Sequence, residues 1–259
     1  MLRNEGLNCQ VYIAAMGRSG STMVANMLTR PPSRCVLIEP WLPKGAQGPK
    51  LLEQLRRFGI PTSDRCSLVP KSSSEADSQT SIERLLAELL RGVSHWGIKE
   101  VRPEMHFPTL PIVTPEKIIV QVRNIKDVAL SLLEKHARRS DERYNLEWTH
   151  KYICTAASTL VKLRRSVENA RLRVIRYEDF VISAAARQEL EQWLQWPLDG
   201  DPGRNLDLFD RDYESERHGK SIGRSSVDRW KSESDPSKLT FANEMADCNR
   251  EYQSEFCYE

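Results

Sequence analysis

The sequence has no long hydrophobic run and almost no excess of charge of either sign. No stretch approaches the roughly 18 apolar residues that span a bilayer, and the opening MLRNEGLNCQ lacks the apolar segment of a secretion signal. The 38 lysines and arginines nearly balance the 36 aspartates and glutamates, so no general affinity for nucleic acid or for a membrane surface is expected. We therefore expect a cytoplasmic protein with no membrane span and no nucleic-acid partner.

The sequence also lacks any cluster of metal ligands. Its six cysteines form no C-x-x-C pair and no metal-ligand spacing, which favours scattered reduced thiols. Cys248 and Cys257 would close a small terminal loop only in an oxidising compartment. The five histidines are scattered too, and a lone histidine is more often structural than catalytic. We expect no metal centre and assign no histidine to catalysis.

Short apolar strands alternate with helical patterns along most of the 259 residues. This alternation predicts a single α/β domain with a mainly parallel sheet covered by helices on both faces. Strands are predicted over Val11–Met16, Cys35–Glu39, Trp96–Val101, Lys117–Val122 and Leu172–Tyr177. Ligands of such sheets bind at the carboxyl ends of the strands, so functional residues are expected directly after them.

Helical periodicity fills much of the chain between and after these strands. Helices are predicted from about Thr22, and over Leu51–Phe58, Ser81–Val93, Ile125–Arg139, Leu146–Asn169, Ile182–Leu194 and Leu239–Tyr252. Two polar stretches interrupt the pattern: a serine-rich one at about 62–80, expected to be mobile, and a longer one at about 197–235. A loop as long as the second is either functional or disordered in a compact domain.

The segment GRSGST joins the first predicted strand to a helix. A glycine-containing turn at this place points backbone N–H groups at one spot, where the positive end of the helix dipole also lies. It predicts an anion-binding cradle formed by Gly17, Arg18, Ser19, Gly20, Ser21 and Thr22. Loops that hydrolyse ATP or GTP carry a lysine before the hydroxyl residue, and its absence argues against nucleotide hydrolysis. A plain glycine turn is the alternative for this segment taken alone.

A second basic position follows the strongest strand, in KIIVQVRNIKDVALS. Arg123 comes directly after the strand, and Asp127 and Ser131 are neighbours along the following helix. An arginine there can hold a phosphate with two parallel hydrogen bonds, which a lysine cannot do. A surface ion pair is the alternative for Arg123 alone, but the two segments together predict a site for two anionic groups.

Together, these segments resemble those of the sulfotransferases that use 3′-phosphoadenosine 5′-phosphosulfate (PAPS). Gly17–Thr22 is similar to the family's G-[RK]-[ST]-G-[ST]-[ST] cradle for the 5′-phosphosulfate. Arg123, Asn124, Asp127 and Ser131 match its R-[ND]-x-x-D-x-x-x-S segment for the 3′-phosphate. The Arg-Ser-Gly-Ser-Thr sequence of the cradle is more similar to that of the carbohydrate-type and bacterial branches than to that of the cytosolic phenol and steroid enzymes.

Two further segments extend the resemblance over most of the chain, from residue 11 to about 231. VIRYEDF at 174–180 is similar to a family strand end, and GRSSVDRWKSE at 223–233 to a late loop that closes over the nucleotide. The resemblance implies transfer of a sulfonate from PAPS to a hydroxyl, with 3′-phosphoadenosine 5′-phosphate (PAP) as product and no metal. It adds four residues to the expected cofactor contacts: Tyr177, Arg224, Ser225 and Arg229.

The acceptor hydroxyl of such a reaction needs a base, and two carboxylates lie at strand ends. Glu39 follows the second strand and is favoured by the resemblance, with Glu100 as the second candidate. Lys99 is expected to contact the sulfonate or the bridging oxygen, and Arg18 to stabilise charge on that oxygen. Cytosolic family members carry a histidine in K-x-H, whereas this chain reads Lys99-Glu100-Val101, so no histidine base is transferred to it.

Two other functions stay open at this point. A nucleotide kinase or other phosphoryl-transfer enzyme on the same scaffold predicts magnesium dependence and ATP binding, and the third possibility is a nucleotide-binding module without catalysis. An Arg18→Ala variant that keeps nucleotide affinity but loses turnover would favour an enzyme over the module. The expected acceptor is a small-molecule or glycan hydroxyl, and the sequence specifies neither its identity nor the oligomeric state.

Overall fold

The strands form one parallel sheet in the computed structural model, which describes residues 9–44, 48–62, 82, 85–139, 145–201 and 224–258. They are β1 (Val11–Ala15), β2 (Arg34–Ile38), β3 (His95–Glu100), β4 (Lys117–Val122) and β5 (Leu172–Arg176). The order in the five-stranded sheet is β2-β3-β1-β4-β5, and every neighbouring pair is parallel. The predicted α/β class with a mainly parallel sheet is confirmed.

The central strand β1 is covered on both faces. All of its residues are buried, and successive side chains of a strand point to opposite faces of the sheet. Val11 lies in register with Gly97 of β3 and with Lys117 of β4. A Cβ atom at Gly97 would lie 2.4 Å from Cγ1 of Val11. The glycine therefore lets β1 and β3 approach closely.

Helices connect the strands and follow the last one. They are α1 (Ser21–Leu28), α2 (Gly48–Arg57), α3 (Pro103–Val113), α4 (Ile125–Arg139), α5 (Leu146–Ser166), α6 (Tyr177–Ile182), α7 (Ala184–Leu194), α8 (Pro236–Cys248) and α9 (Arg250–Glu255). Residues 85–89 are also helical, and short 3₁₀ turns occur at Leu42–Lys44, Arg224–Ser226 and Arg229–Ser232. Helix α4 packs on α5 and α8, and α9 packs on α5.

Several predicted boundaries were wrong, and single residues explain two of them. Strand β5 ends at Arg176, so Tyr177 begins α6 instead of ending the strand. Ser183 separates α6 from α7 because its backbone is extended and its hydroxyl caps α7 by accepting from the Ala186 N–H at 3.1 Å. The terminal helix is likewise divided, into α8 and α9, at Asn249.

Helix α3 has no counterpart among the predicted elements. Pro108 and Pro111 lie inside it, and an internal proline removes a backbone hydrogen bond and disfavours a helix. Pro103 stands in the first turn, where its fixed backbone angle suits a helix start. The helix packs on α5 and on the Leu42–Lys44 turn. Tertiary packing therefore outweighs the unfavourable local sequence.

Parts of the two polar stretches lie outside the described residues. Residues 63–80 of the serine-rich stretch and residues 202–223 of the later stretch are not described. The predicted helix start at Ser81 also lies outside the described residues. Within the described part of the chain, no helix is long and apolar enough to cross a membrane. The cysteines described there, including Cys248 and Cys257, are free thiols.

Candidate active site

The carboxyl ends of the five strands meet at one edge of the sheet, and each end carries a residue predicted for the site. Strand β1 runs into the cradle at Gly17, and Glu39 directly follows β2. Glu100 is the last residue of β3, Arg123 follows β4, and Tyr177 follows β5. Parallel pairing thus gathers residues that are far apart in the sequence.

The cradle ends in an uncapped helix N-terminus. Helix α1 starts at Ser21, has no side-chain cap, and has no acidic residue in its first turn. The first N–H groups of a helix have no acceptor within the helix, and they carry the positive end of its dipole. Arg18 and Gly20 both have positive φ angles, of 71° and 83°. These backbone turns direct the chain from the strand into the helix.

Tyr177 packs directly beneath this turn. A Cβ atom at Gly20 would lie 2.4 Å from Cδ2 of Tyr177, so only glycine fits at that position. The guanidinium carbon of Arg123 lies 4.5 Å from the centroid of the same ring, within the range of a cation–π contact. Tyr177 is 8% exposed. Its ring therefore supports both the cradle and Arg123 from inside the protein.

The two predicted anion-binding segments are in direct contact. Arg18 donates from Nε to the Ser131 hydroxyl at 2.9 Å, and Arg123 donates from Nη1 to the Arg18 carbonyl at 2.8 Å. Arg123 also donates from Nη2 to the carbonyl of Ser226 in the late loop, and this group lies 3.7 Å from the Asp127 carboxylate. The structure thus brings together the cradle, the Arg123 segment and the late loop.

Several buried polar atoms of this region have no hydrogen-bond partner among the described residues. Two of them belong to donor groups, the hydroxyl of Ser19 in the cradle and the Nε of Arg123, whereas Oε1 of Gln121 and Oδ2 of Asp127 are acceptors. A buried polar group without a partner is unfavourable and uncommon in folded proteins. The Ser19 hydroxyl and the Arg123 Nε can each donate a hydrogen bond to an anion. The residues present therefore fit a ligand with two phosphate-like groups.

A buried ion pair lies at the ends of β2 and β3. The Nζ of Lys99 is 2.6 Å from Oε1 of Glu39, and their side chains are 2% and 13% exposed. Glu39 has a positive φ of 52°, and its N–H donates to the Lys99 carbonyl at 2.8 Å. Strained backbone of this kind persists only where the surroundings hold it, and it is concentrated at functional sites.

Glu100 is a second carboxylate beside this pair. Its Oε1 accepts from the N–H groups of Val101 at 3.0 Å and Arg102 at 3.4 Å. Burial, with the nearby charge of Glu39, raises the pKa of Glu100 from 4.5 to about 7. The site therefore contains one carboxylate paired with a lysine and another that takes up a proton near neutral pH. Such different environments are typical of groups with different acid–base roles.

The sequence analysis did not identify Tyr152, which joins two of these loops. Its hydroxyl accepts from the Gly17 N–H at 2.6 Å and donates to the Val101 carbonyl at 2.9 Å. Its ring is stacked on Trp148, with centroids 5.1 Å apart. The Gly17 N–H is thus directed at the tyrosine and not into the cradle. Both partners are backbone groups, so no residue pattern could have indicated this contact.

Solved structures share this architecture, although no protein-family profile and no curated protein matches the chain. The sulfotransferase domain of the Synechococcus PCC 7002 olefin synthase matches with a TM-score of 0.60 and 21% identity, over 94% of this chain and 96% of that one. The sulfotransferase domain from the curacin biosynthetic pathway has a TM-score of 0.66 and 17% identity, over 94% and 98%.

A sulfotransferase from Alicyclobacillus acidocaldarius also matches, with a TM-score of 0.54 and 12% identity over 96% of this chain and 94% of that one. The chain has the sulfotransferase fold. At these identities the likeness establishes the fold, and the resemblance drawn from the two anion-binding segments is confirmed at that level. The three matches span 94–96% of the chain.

Three residues predicted for the cofactor lie on the late loop, whose Ser226 carbonyl accepts from Arg123. Arg224 and Ser225 are exposed on the Arg224–Ser226 turn, and Arg229 is paired with Glu134 of α4. The late loop is attached to α4 because the N–H of Trp230 donates to Oδ1 of Asp127 at 3.0 Å. Among the described residues, no group of three or more His, Cys, Asp and Glu side chains is placed to hold a metal ion.

Proposed function

We propose that this protein transfers a sulfonate group from PAPS to a hydroxyl of a small molecule or glycan, with Glu39 as the base. The observation that carries the proposal is the direct contact between two anion-binding segments, in which Arg18 reaches Ser131 and Arg123 reaches the Arg18 backbone. A ligand with phosphate groups at both ends of a ribose requires such a pair of sites. The sulfotransferase fold supports the same interpretation.

The cradle would hold the 5′-phosphosulfate. The Ser19 hydroxyl has no hydrogen-bond partner among the described residues, and the N-terminus of α1 adds backbone N–H groups and its dipole. Arg18 carries a permanent positive charge beside them. These groups attract the anion and stabilise negative charge that grows on it, without needing a proton donor.

Arg123 and Ser131 would hold the 3′-phosphate. A guanidinium group has five N–H bonds, and the two carbonyl contacts of Arg123 leave its Nε without a partner. The Ser131 hydroxyl accepts from Arg18, so its own hydrogen stays available to a phosphate oxygen. Charge-assisted contacts of this kind are about twice as strong as neutral hydrogen bonds.

When bound, PAPS would supply a sulfonate on a good leaving group. The acceptor oxygen would attack its sulfur in line while the S–O bond to the 5′-phosphate breaks and PAP leaves. Glu39 takes the proton of that acceptor. Lys99 favours the ionised form of Glu39 before the reaction, and protonation of Glu39 weakens their ion pair so that the lysine charge can act on the transferring group. Glu100 is less suitable as the base because its Oε1 already accepts from backbone N–H groups and the residue is only 1% exposed.

The proposal is tested by incubating the purified protein with ³⁵S-labelled PAPS and a panel of acceptors: a sugar, a phenol and an aliphatic alcohol. The expected result is acceptor-dependent release of PAP together with a labelled sulfate ester, with EDTA present throughout. A parallel reaction contains ATP and Mg²⁺. The proposal would be overturned if phosphate were transferred from ATP and no acceptor received sulfonate from PAPS. That result would favour the phosphoryl-transfer alternative.

A further inference from the structure

Tyr252 of α9 binds both backbone polar groups of Arg123 with a single hydroxyl. The hydroxyl accepts from the Arg123 N–H at 3.1 Å and donates to the Arg123 carbonyl at 3.0 Å. Tyr252 is only 2% exposed, so water cannot easily replace these bonds. The hydroxyl therefore fixes the backbone at the point where β4 leads into α4.

The next peptide group is held from the same side. Oε1 of Glu178 accepts from the Asn124 N–H at 2.9 Å, and Oε2 accepts from the hydroxyl of Tyr258 at 2.7 Å. Glu178 is 7% exposed and Tyr258 5% exposed. We call Tyr252, Glu178 and Tyr258 the backbone clamp.

The clamp holds Arg123, whose side chain contacts both the cradle and the late loop. Because the clamp fixes the backbone of Arg123, it sets the point from which the guanidinium reaches the carbonyls of Arg18 and Ser226. A two-point contact between arginine and phosphate depends on the exact direction of the guanidinium plane. A small rotation of the Arg123 peptide would move that plane without unfolding the sheet.

We infer that the backbone clamp positions Arg123 for recognition of a 3′-phosphate, so that Tyr252, Glu178 and Tyr258 control nucleotide selectivity without binding the phosphate themselves. This inference rests on the proposed function. The clamp residues are buried, and they would act through the backbone of Arg123 and Asn124. Loss of the clamp should therefore weaken binding of a nucleotide with a 3′-phosphate, and leave binding of the same nucleotide without it nearly unchanged.

The test compares PAP with adenosine 5′-phosphate (AMP) by titration calorimetry, using Tyr252→Phe. The ring and its contacts with Phe256 and Tyr258 remain, and only the hydroxyl is lost. We expect PAP affinity to fall about tenfold and AMP affinity to change less than about threefold, since a lost bond with an unsatisfied partner corresponds to that range. Tyr258→Phe should lower the ratio of PAP affinity to AMP affinity by less than Tyr252→Phe does, because Tyr258 acts through Glu178.

Tyr12→Phe is the matched control. The Tyr12 hydroxyl is also buried, but it is bonded to the Nδ1 of His106 at 2.9 Å and not to the backbone of Arg123. The variant should leave the ratio of PAP to AMP affinity at the wild-type value. The inference is overturned if folded Tyr252→Phe keeps the wild-type ratio, or if Tyr12→Phe lowers the ratio equally. Should Tyr252→Phe fail to fold, Tyr258→Phe decides by the same ratio. A wild-type protein without any preference for PAP would instead contradict the proposed function.

Discussion

Arg18 and Ser131 are joined by a hydrogen bond of 2.9 Å, from the guanidinium Nε to the hydroxyl oxygen. The bond links the cradle after β1 with the helix after β4. Arg18, expected at the transferring sulfonate, thus extends toward the segment expected to bind the 3′-phosphate. The two anion-binding segments therefore form one continuous surface.

Ser131→Ala removes the acceptor of this bond and one expected phosphate contact. Because hydrogen bonds to charged groups are worth about 1.5–3 kcal/mol, PAP affinity should fall by about tenfold or more. Titration calorimetry measures the change. Ser166→Ala is the control, since that hydroxyl donates to the Leu163 carbonyl at the C-terminal end of α5. Equal PAP affinity in both variants would contradict a role for Ser131.

Glu39→Gln removes the proposed base while keeping the shape of the side chain. General bases contribute about 10²–10⁴-fold to a rate, so kcat for sulfonate transfer should fall within that range while PAP affinity changes little. Steady-state kinetics and calorimetry separate the two effects. Glu53→Gln changes a half-exposed carboxylate on α2 and should leave kcat unaltered. A Glu39→Gln variant with wild-type kcat would exclude Glu39 as the base.

Glu100→Gln should alter the pH dependence of stability. The pKa of Glu100 is raised in the folded protein from 4.5 to about 7, so the folded state binds this proton more tightly than the unfolded state. Its contribution to stability is complete below about pH 4.5, declines as the pH rises toward about 7, and is absent above that.

The glutamine variant has no such proton. Its free energy of unfolding, relative to wild type, should therefore increase by about 3 kcal/mol between about pH 4.5 and about pH 8, at 1.36 kcal/mol for each pKa unit. Urea denaturation at a series of pH values measures the difference. Glu53→Gln is again the control. Parallel curves for wild type and Glu100→Gln would show that Glu100 has an ordinary pKa.

Gly20→Ala should destabilise the cradle more than a positive φ angle alone explains. Gly92 has a similar φ of 91° with no atom within 4 Å of an added Cβ, whereas at Gly20 that Cβ meets Tyr177. Gly92→Ala should cost about 1–2 kcal/mol for the backbone, and Gly20→Ala about 1–3 kcal/mol more for the overlap. Thermal or urea denaturation gives both values. Equal losses would show that Tyr177 moves aside freely.

The sequence predicted the parts of the fold that depend on local patterns. Apolar strands such as Lys117–Val122 are confirmed with their bounds, and the helix Ile125–Arg139 begins and ends where its periodicity indicated. Helix α3 was not predicted because its internal prolines disfavour a helix locally. Its stability comes from packing against α5 and the Leu42–Lys44 turn. Packing of this kind leaves no trace in the segment itself.

In the site, sequence patterns identified charged side chains but not the contacts between them. Glu39 and Lys99 were named separately, and only the pairing of β2 with β3 joins them. Tyr152 and Tyr252 were missed because their hydroxyls bind backbone groups, which every residue carries. The direction of Arg18 also depends on the positive φ of its backbone, which no neighbouring residue type indicates.

The most direct test of the account is the affinity of the wild-type protein for PAP and for AMP, measured by titration calorimetry in the same buffer with EDTA. If Arg123 and Ser131 bind a 3′-phosphate, PAP should bind at least about tenfold more tightly than AMP. Equal affinity for the two nucleotides would contradict the 3′-phosphate site, and with it the proposed use of PAPS.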